Sequence, residues 1–363
     1  MSDPTTPATD ELSDEVAAKV RELLDATGVE ANRDQIGEIL ATAVRLAHDG
    51  TDRLDLKITS SALAEMRNAF RIFAPFHDVP KVTIFGSART RTDDPLYAQA
   101  HEAARALADQ GWMVVTGAGP GIMQAAMEGA GADRSIGVSI RLPFETRAND
   151  VIHDDPKHVS MKYFFTRKLM LVKESRGFLS VPGGFGTLDE TFELLTLQQT
   201  GKAEPTPIVL LDVPGGTFWQ GFQRFVDEQL VSIGVVSPDD LDRVLITDSV
   251  DAAVAEIVGF WRNYDSLRWV GKRLVLRLRA EPTDAEVGAL NEQFGDLLVE
   301  GRIERSGPLG PERSSHDQEH LPRLVLSLDQ HRVGGLHRLI RAVNALGSAP
   351  DAPAPPAEVA HPT

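Results

Sequence analysis

Cysteine is absent from the 363 residues, which excludes a disulfide framework, a thiolate metal site and a cysteine nucleophile. Positive charge is scarce: 37 lysines and arginines stand against 53 acidic residues, a formal net charge of −16. Such a balance repels nucleic acid and anionic membranes, so a phosphorylated ligand needs a local site. No apolar run approaches the roughly 20 residues that span a bilayer, and no basic segment followed by an apolar one opens the chain. The expectation is a cytoplasmic protein with neither a membrane nor a nucleic-acid partner. Two nucleotide signatures are also missing. After Gly117 and Gly119 the dinucleotide fingerprint requires glycine where the chain has Ile122, and after Gly201 and Lys202 a Walker A loop requires Ser or Thr where it has Ala203. NAD binding loses its best sequence support, and ATP hydrolysis has none.

What is present is 42% hydrophobic residues in a chain longer than one typical domain. Residues 1–10 and 348–363, rich in Ser, Thr, Pro, Asp and Ala, read as disordered ends. Residues 11–78 carry helical stripes (Val16, Val20, Leu23 and Leu24, then Ile36, Ile39, Leu40 and Val44) and form a helical N-terminal extension. Between 79 and 264, apolar runs at 82–85, 113–116, 136–140, 177–181, 207–211 and 243–247 alternate with helical segments. That order predicts an α/β domain, a Rossmann-like doubly wound parallel sheet. Residues 268–347 read as a small α+β C-terminal unit of order βαββα, a regulatory module, oligomerisation surface or structural cap, with 306–320 as a mobile loop.

In open α/β sheets ligands bind outside the carboxyl ends of the strands, and three glycine turns follow strands here. The first is GSAR, where Gly86 is followed by Ser87, with a hydroxyl, and Arg89, with a fixed charge, both suited to phosphate oxygens. The second, TGAGPGIM, places Gly117, Gly119 and Gly121 before a helix whose start faces a nucleoside in this reading. The third lies in GFLSVPGGFGTLDETFELL, residues 177–195. There Gly183, Gly184, Gly186 and Thr187 open a helix whose apolar stripe is Leu188, Phe192, Leu195 and Leu197. Free N–H groups and the macrodipole at such a start favour a phosphate. Glu190 shares a face with Thr187 and leans back towards the ligand, and the dipole is expected to keep it ionised, against any bound phosphate. Glu193, one turn deeper, is a weaker second carboxylate. Residues 161–175, MKYFFTRKLMLVKES, predict a helix carrying Arg167 and Lys168 just before the GFLSV strand. HDDPKH (153–158) and HDQEH (316–320) lack a regular scaffold for metal ligands and read as solvated loops, so no metal is expected.

Together PGGFGTLDE, TRKLM, GSAR, TGAGPGIM and LPFE at 142–145 resemble the lonely guy (LOG) family, whose members are often mislabelled lysine decarboxylases. The resemblance covers 79–264. It implies a phosphoribohydrolase, active without a cofactor, that cleaves the N-glycosidic bond of a nucleoside 5′-monophosphate, AMP-like or a cytokinin riboside monophosphate, to free base and ribose 5-phosphate. It places the catalytic arginine and glutamate on Arg167 and Glu190 and the phosphate turn on Gly183 to Thr187, with Lys168 of the RK signature among the substrate contacts. A homodimer or higher homo-oligomer is the expected assembly. Glu190 then acts as base or as stabiliser of the oxocarbenium ion, and Arg167 steadies the departing base or fixes substrate and Glu190. The alternative is a regulatory protein that binds a mononucleotide without hydrolysing it. Both flanking units are absent from the short plant-type enzymes.

Overall fold

The computed structural model describes residues 14–142, 148–329 and 332–351. The expected disordered ends, 1–10 and all of 348–363 after Asp351, lie outside the described residues, as do Pro143 to Glu145 of the LPFE motif. Chain contacts divide the protein into two compact units, Met1–Ala64 and Glu65–Thr363. The first holds α1 (Asp14–Ala26), α2 (Arg33–His48) and the opening of α3 (Arg53–Phe73). Arg33 ties the α1–α2 corner by donating to the Val29 carbonyl at 2.6 Å.

The second unit is built on a seven-stranded parallel sheet in the order β4-β3-β2-β1-β5-β6-β7. Its strands are β1 (Lys81–Phe85), β2 (Met113–Thr116), β3 (Ser135–Ile140), β4 (His158–Met161), β5 (Gly177–Ser180), β6 (Ile208–Leu211) and β7 (Val244–Thr247). Strands β1, β2, β5 and β6 are buried along their whole length, which is why they read as mostly apolar runs. Alternate residues serve opposite faces. Val82, Ile84, Val114 and Leu179 pack on α4 (Pro95–Asp109), α5 (Ile122–Ala130) and α9 (Val250–Gly259). Phe85, Val115, Val138 and Phe178 pack on the end of α3, α6 (Phe164–Lys173), α7 (Phe185–Gln199) and α8 (Phe218–Phe225). The Rossmann-like, doubly wound reading therefore holds. Successive strands step outward from β1 to β4 and then return to the other side of β1 at β5, so the topological switch lies between β1 and β5.

Two local expectations need correction. Strand β4 begins at His158, the last residue of HDDPKH, and its register pairs Gly137 with His158 and Ser139 with Ser160, so that one histidine is held by the sheet. On α7 the deeply buried face is Thr187, Thr191, Leu194 and Gln198 rather than the Leu188 and Phe192 stripe. Small hydroxyl residues let the helix lie close to β5, where Ser180 and Thr191 hydroxyls meet at 3.2 Å.

The C-terminal portion adds β8 (Tyr264–Val270), β9 (Arg273–Leu278), α10 (Asp284–Phe294), β10 (Leu298–Arg305), α11 (Gly310–Ser314), β11 (Arg323–Leu328) and α12 (Val333–Asn344). Its four strands form an antiparallel sheet, β10-β11-β9-β8. Strand β8, which begins before residue 268, pairs with β9 through a tight turn at Gly271 that needs its φ of 62°. The 306–320 loop contains α11 and is anchored at its middle: Glu312 is fully buried, accepts from Arg277 at 2.9 Å and pairs with Arg323 at 3.0 Å. Within the expected tail, Ser348 N donates to Glu286 and Pro350 O accepts from Arg262.

Candidate active site

The turns after β1, β2 and β5 open into one cavity of about 1030 Å³ at the carboxyl edge of the sheet. Gly86, Ser87, Arg89, Gly117, Gly119, Arg167, Gly183, Gly184, Gly186, Thr187 and Glu190 all line it. Of the glycines, cations and carboxylates proposed from sequence for this site, Gly121, Lys168 and Glu193 do not. Gly121 sits at φ 67° beneath the 87–88 backbone, and the first N–H of α5, on Ile122, is spent on the Ser87 carbonyl at 3.0 Å. Met123, the next residue of that helix start, does line the cavity. Lys168 turns to Glu193 at 2.6 Å and Asp189 at 3.2 Å. Against the desolvation of burial, those partners hold its ammonium above the ordinary lysine value. Glu193 is thereby occupied as a counter-ion.

The start of α7 differs from that of α5. Its N-cap is Gly184, and no side chain caps the helix. Both Gly184 and Gly186 face open space, so the first backbone N–H groups of α7 border the cavity at the positive end of the dipole. Gly183 is required because a Cβ there would collide with the Thr187 side chain. Ser87, one strand away, supplies the opposite lip.

Arg167 is 8% exposed and reaches across the edge of the sheet. Its Nε donates to the Val138 carbonyl at 2.9 Å, and its guanidinium occupies the room left by Gly117, where any Cβ would meet Nη2. Nη1 stands 3.9 Å from Oε1 of Glu190. The two charged groups, carried on α6 and α7, are therefore brought together at the cavity wall. Burial pushes the Glu190 carboxyl up to about 7, with Asp189 and Glu193 adding to the rise and Arg167 and Lys168 opposing it. The rise runs against the ionised form expected from the helix dipole and sets the carboxyl near its midpoint at neutral pH.

The wall beyond Arg167 was not foreseen. Ser139 and Ser160, side by side on β3 and β4, join His153, Asp154 and His158 there. His158 Nε2 and the Ser139 hydroxyl lie 2.8 Å apart, and burial holds the His158 imidazole below its ordinary range. His153 pairs with Asp154 at 2.6 Å. Among the described residues no three His, Asp or Glu groups gather as metal ligands. Phe185, in the middle of the turn and 93% exposed, stands at the rim with Phe164 and Phe218.

Comparison with known proteins agrees with this arrangement of motifs. A family model described as "Possible lysine decarboxylase" matches residues 121–257, which include Arg167 and Glu190. A cytokinin riboside 5′-monophosphate phosphoribohydrolase from Mycobacterium tuberculosis is 30% identical over 171 residues, 46% of this chain and 88% of that protein. The chain belongs to the LOG family. A second LOG relative of the same name, from Mycobacterium marinum, is 29% identical over 170 residues and covers the same shares. Among solved structures, the molybdenum cofactor carrier protein of Chlamydomonas reinhardtii is similar over 49% of this LOG chain and 94% of its own, at 23% identity and a TM-score of 0.34, too low to carry weight. Both curated relatives leave more than half of this chain unmatched.

Proposed function

We propose that the cavity binds a nucleoside 5′-monophosphate and that the chain hydrolyses its N-glycosidic bond. The observation that carries this reading is the Arg167–Glu190 pair, 3.9 Å apart beside an uncapped helix start in the same cavity. The phosphate sits on the Gly183–Thr187 turn with Ser87 and Arg89 opposite. Ribose C1′ then lies by Glu190, and the base extends past Arg167 to the polar wall of Ser139 and His158. As the C1′–N bond breaks, positive charge grows on the ribose and negative charge on the base. Glu190 answers the first and takes a proton from the attacking water, whose hydroxyl joins C1′; Arg167 answers the second, the departing nitrogen takes a proton from solvent, and Glu190 returns its own to solvent, so that one water is consumed per bond broken. A carboxyl near pH 7 suits a general base.

The LOG relatives' names specify cytokinin riboside monophosphates. For this chain the substrate class proposed is the nucleoside 5′-monophosphate, with AMP and a cytokinin riboside monophosphate both in the panel. A decarboxylase reading requires a lysine amine for the pyridoxal Schiff base, and among the described residues no lysine lines the cavity. The test is to incubate purified protein with AMP, GMP, IMP, CMP, UMP and a cytokinin riboside monophosphate and to separate the products. Free base and ribose 5-phosphate from at least one are expected. Tight binding with no base released from any of them would sink hydrolysis in favour of a nucleotide-binding regulator.

A further inference from the structure

The helix that carries Arg167 is held at its start by a residue of the N-terminal extension. Glu65, on α3 and 7% exposed, accepts the backbone N–H of Lys162 at 2.7 Å through one oxygen and the Thr166 hydroxyl at 2.8 Å through the other. Tyr163, the N-cap of α6, offers no side-chain cap of its own. The carboxylate thus ties down the backbone N–H just ahead of the N-cap and a hydroxyl in the first turn, and places negative charge at the positive end of the dipole. Thr166 is fully buried and directly precedes Arg167. Further along, α3 stays beside α6, with Ala69 and Phe73 in the same core as Met170 and Leu171 and the Lys173 ammonium 5.4 Å from the Phe70 ring centre.

We infer that Glu65 is a positioning residue for Arg167: by clamping Lys162 and Thr166 it sets where α6 begins and so where the guanidinium stands relative to Glu190. The arginine has little tolerance. It is fixed between the Val138 carbonyl and the space above Gly117, so a small shift or rotation of α6 moves it off Val138 and away from Glu190. The part of the extension that reaches the site is thus a splint along the arginine-bearing helix, a role that the paired turns and the RK signature do not reveal. The catalytic consequence rests on the hydrolase reading above, while the clamp itself rests only on geometry.

The test uses the full-length chain and reads Glu190 directly. Its carboxyl is titrated by NMR with 13C-labelled glutamate, the signal being assigned by its loss in Glu190→Gln. The charged groups that face it are Arg167 and Lys168 on α6 and Asp189 and Glu193 on α7. In Glu65→Ala, retreat of Arg167 raises the Glu190 midpoint by about one pH unit. The same variant lowers kcat roughly 10- to 100-fold with a smaller change in KM, since the phosphate turn is untouched. Glu65→Gln, whose amide oxygen still accepts from Lys162, restores the midpoint and keeps kcat within about threefold on the same logic. A folded Glu65→Ala protein with an unmoved Glu190 midpoint overturns the inference, because loss of stability alone lowers the active fraction without shifting that titration. Should Glu65→Ala not fold, Thr166→Val takes its place: an upward midpoint shift supports the clamp and an unmoved one overturns it. A wild type that releases no base, alongside a shifted midpoint in Glu65→Ala, sinks the hydrolase reading and upholds the positioning role.

Discussion

At the scale of single residues the decisive quantity is the cost of burying Glu190. Its folded value of about 7 lies above the 4.5 of a free carboxyl, so the unfolded chain loses its proton first as pH rises. The cost is therefore absent below about pH 4.5 and complete above about pH 7, where it reaches at most roughly 3 kcal/mol. Glu190→Gln is expected to raise the urea midpoint at pH 8 and to leave it unchanged at pH 4. The same substitution removes the proposed base and lowers kcat by about 10²- to 10⁴-fold. In the wild type, base release climbs as pH rises through about 7 because the ionised carboxylate is the working form. A pH–rate profile that is flat from 5 to 8 would remove Glu190 from the base role. Gly117 offers a second residue-scale check. Its methyl derivative, Gly117→Ala, projects into the Arg167 guanidinium, and a displacement near 1 Å costs about 10²-fold in kcat. Circular dichroism of that variant should match wild type, which separates a displaced arginine from a lost fold.

Elements differ in how plainly their sequences announce them. VTIF, GFLSV and PIVLL were legible as strands because both faces are buried and nearly every position is apolar, Thr83 and Ser180 excepted. HVSM was not: β4 is four residues long, lies at the sheet edge and alternates His158 and Ser160 with Val159 and Met161. With it went the wall of the cavity. The glycine turns were readable one by one, whereas the meeting of Arg167 with Glu190 depends on α6 preceding β5 and α7 following it, a tertiary fact that only the motif resemblance anticipated. Likewise, no local pattern shows that Glu312 lies in the core. Placed between Arg277 and Arg323, it anchors α11 to the antiparallel sheet. Glu312→Ala leaves two buried guanidinium groups without that counter-ion and is expected to cost about 3 kcal/mol, read as a lower urea midpoint. Base release per folded molecule should remain near wild type, since the triad lies outside the cavity lining.

For the molecule as a whole, the question is whether the C-terminal portion is an accessory or part of the fold. The apolar cluster that begins with Val82, Leu107 and Ile257 under the parallel sheet continues without a break through Phe260, Trp261 and Tyr264 into Leu276, Leu326 and Leu339. Polar contacts follow the same route. Trp261 Nε1 donates to the Arg176 carbonyl at 2.9 Å at the foot of β5, and Asn344 on α12 accepts from the backbone N–H groups of Asn263 and Tyr264, each at 2.8 Å. Arg341, also on α12, reaches Glu256 on α9 at 2.7 Å. Two domains joined by a linker would melt separately; one core shared by two sheets melts once. A single calorimetric transition is thus expected for residues 65–363. A chain ended after Arg262 uncovers Phe260 and Trp261, each only 2% exposed in the intact protein. Burying a side chain of this class is worth roughly 1.5–3 kcal/mol, so losing two together with the α12 contacts removes a large share of a typical domain's stability. That truncated chain should aggregate or unfold without cooperativity, and recovery of a soluble fragment with a sharp melt and wild-type base release would show the C-terminal sheet to be dispensable.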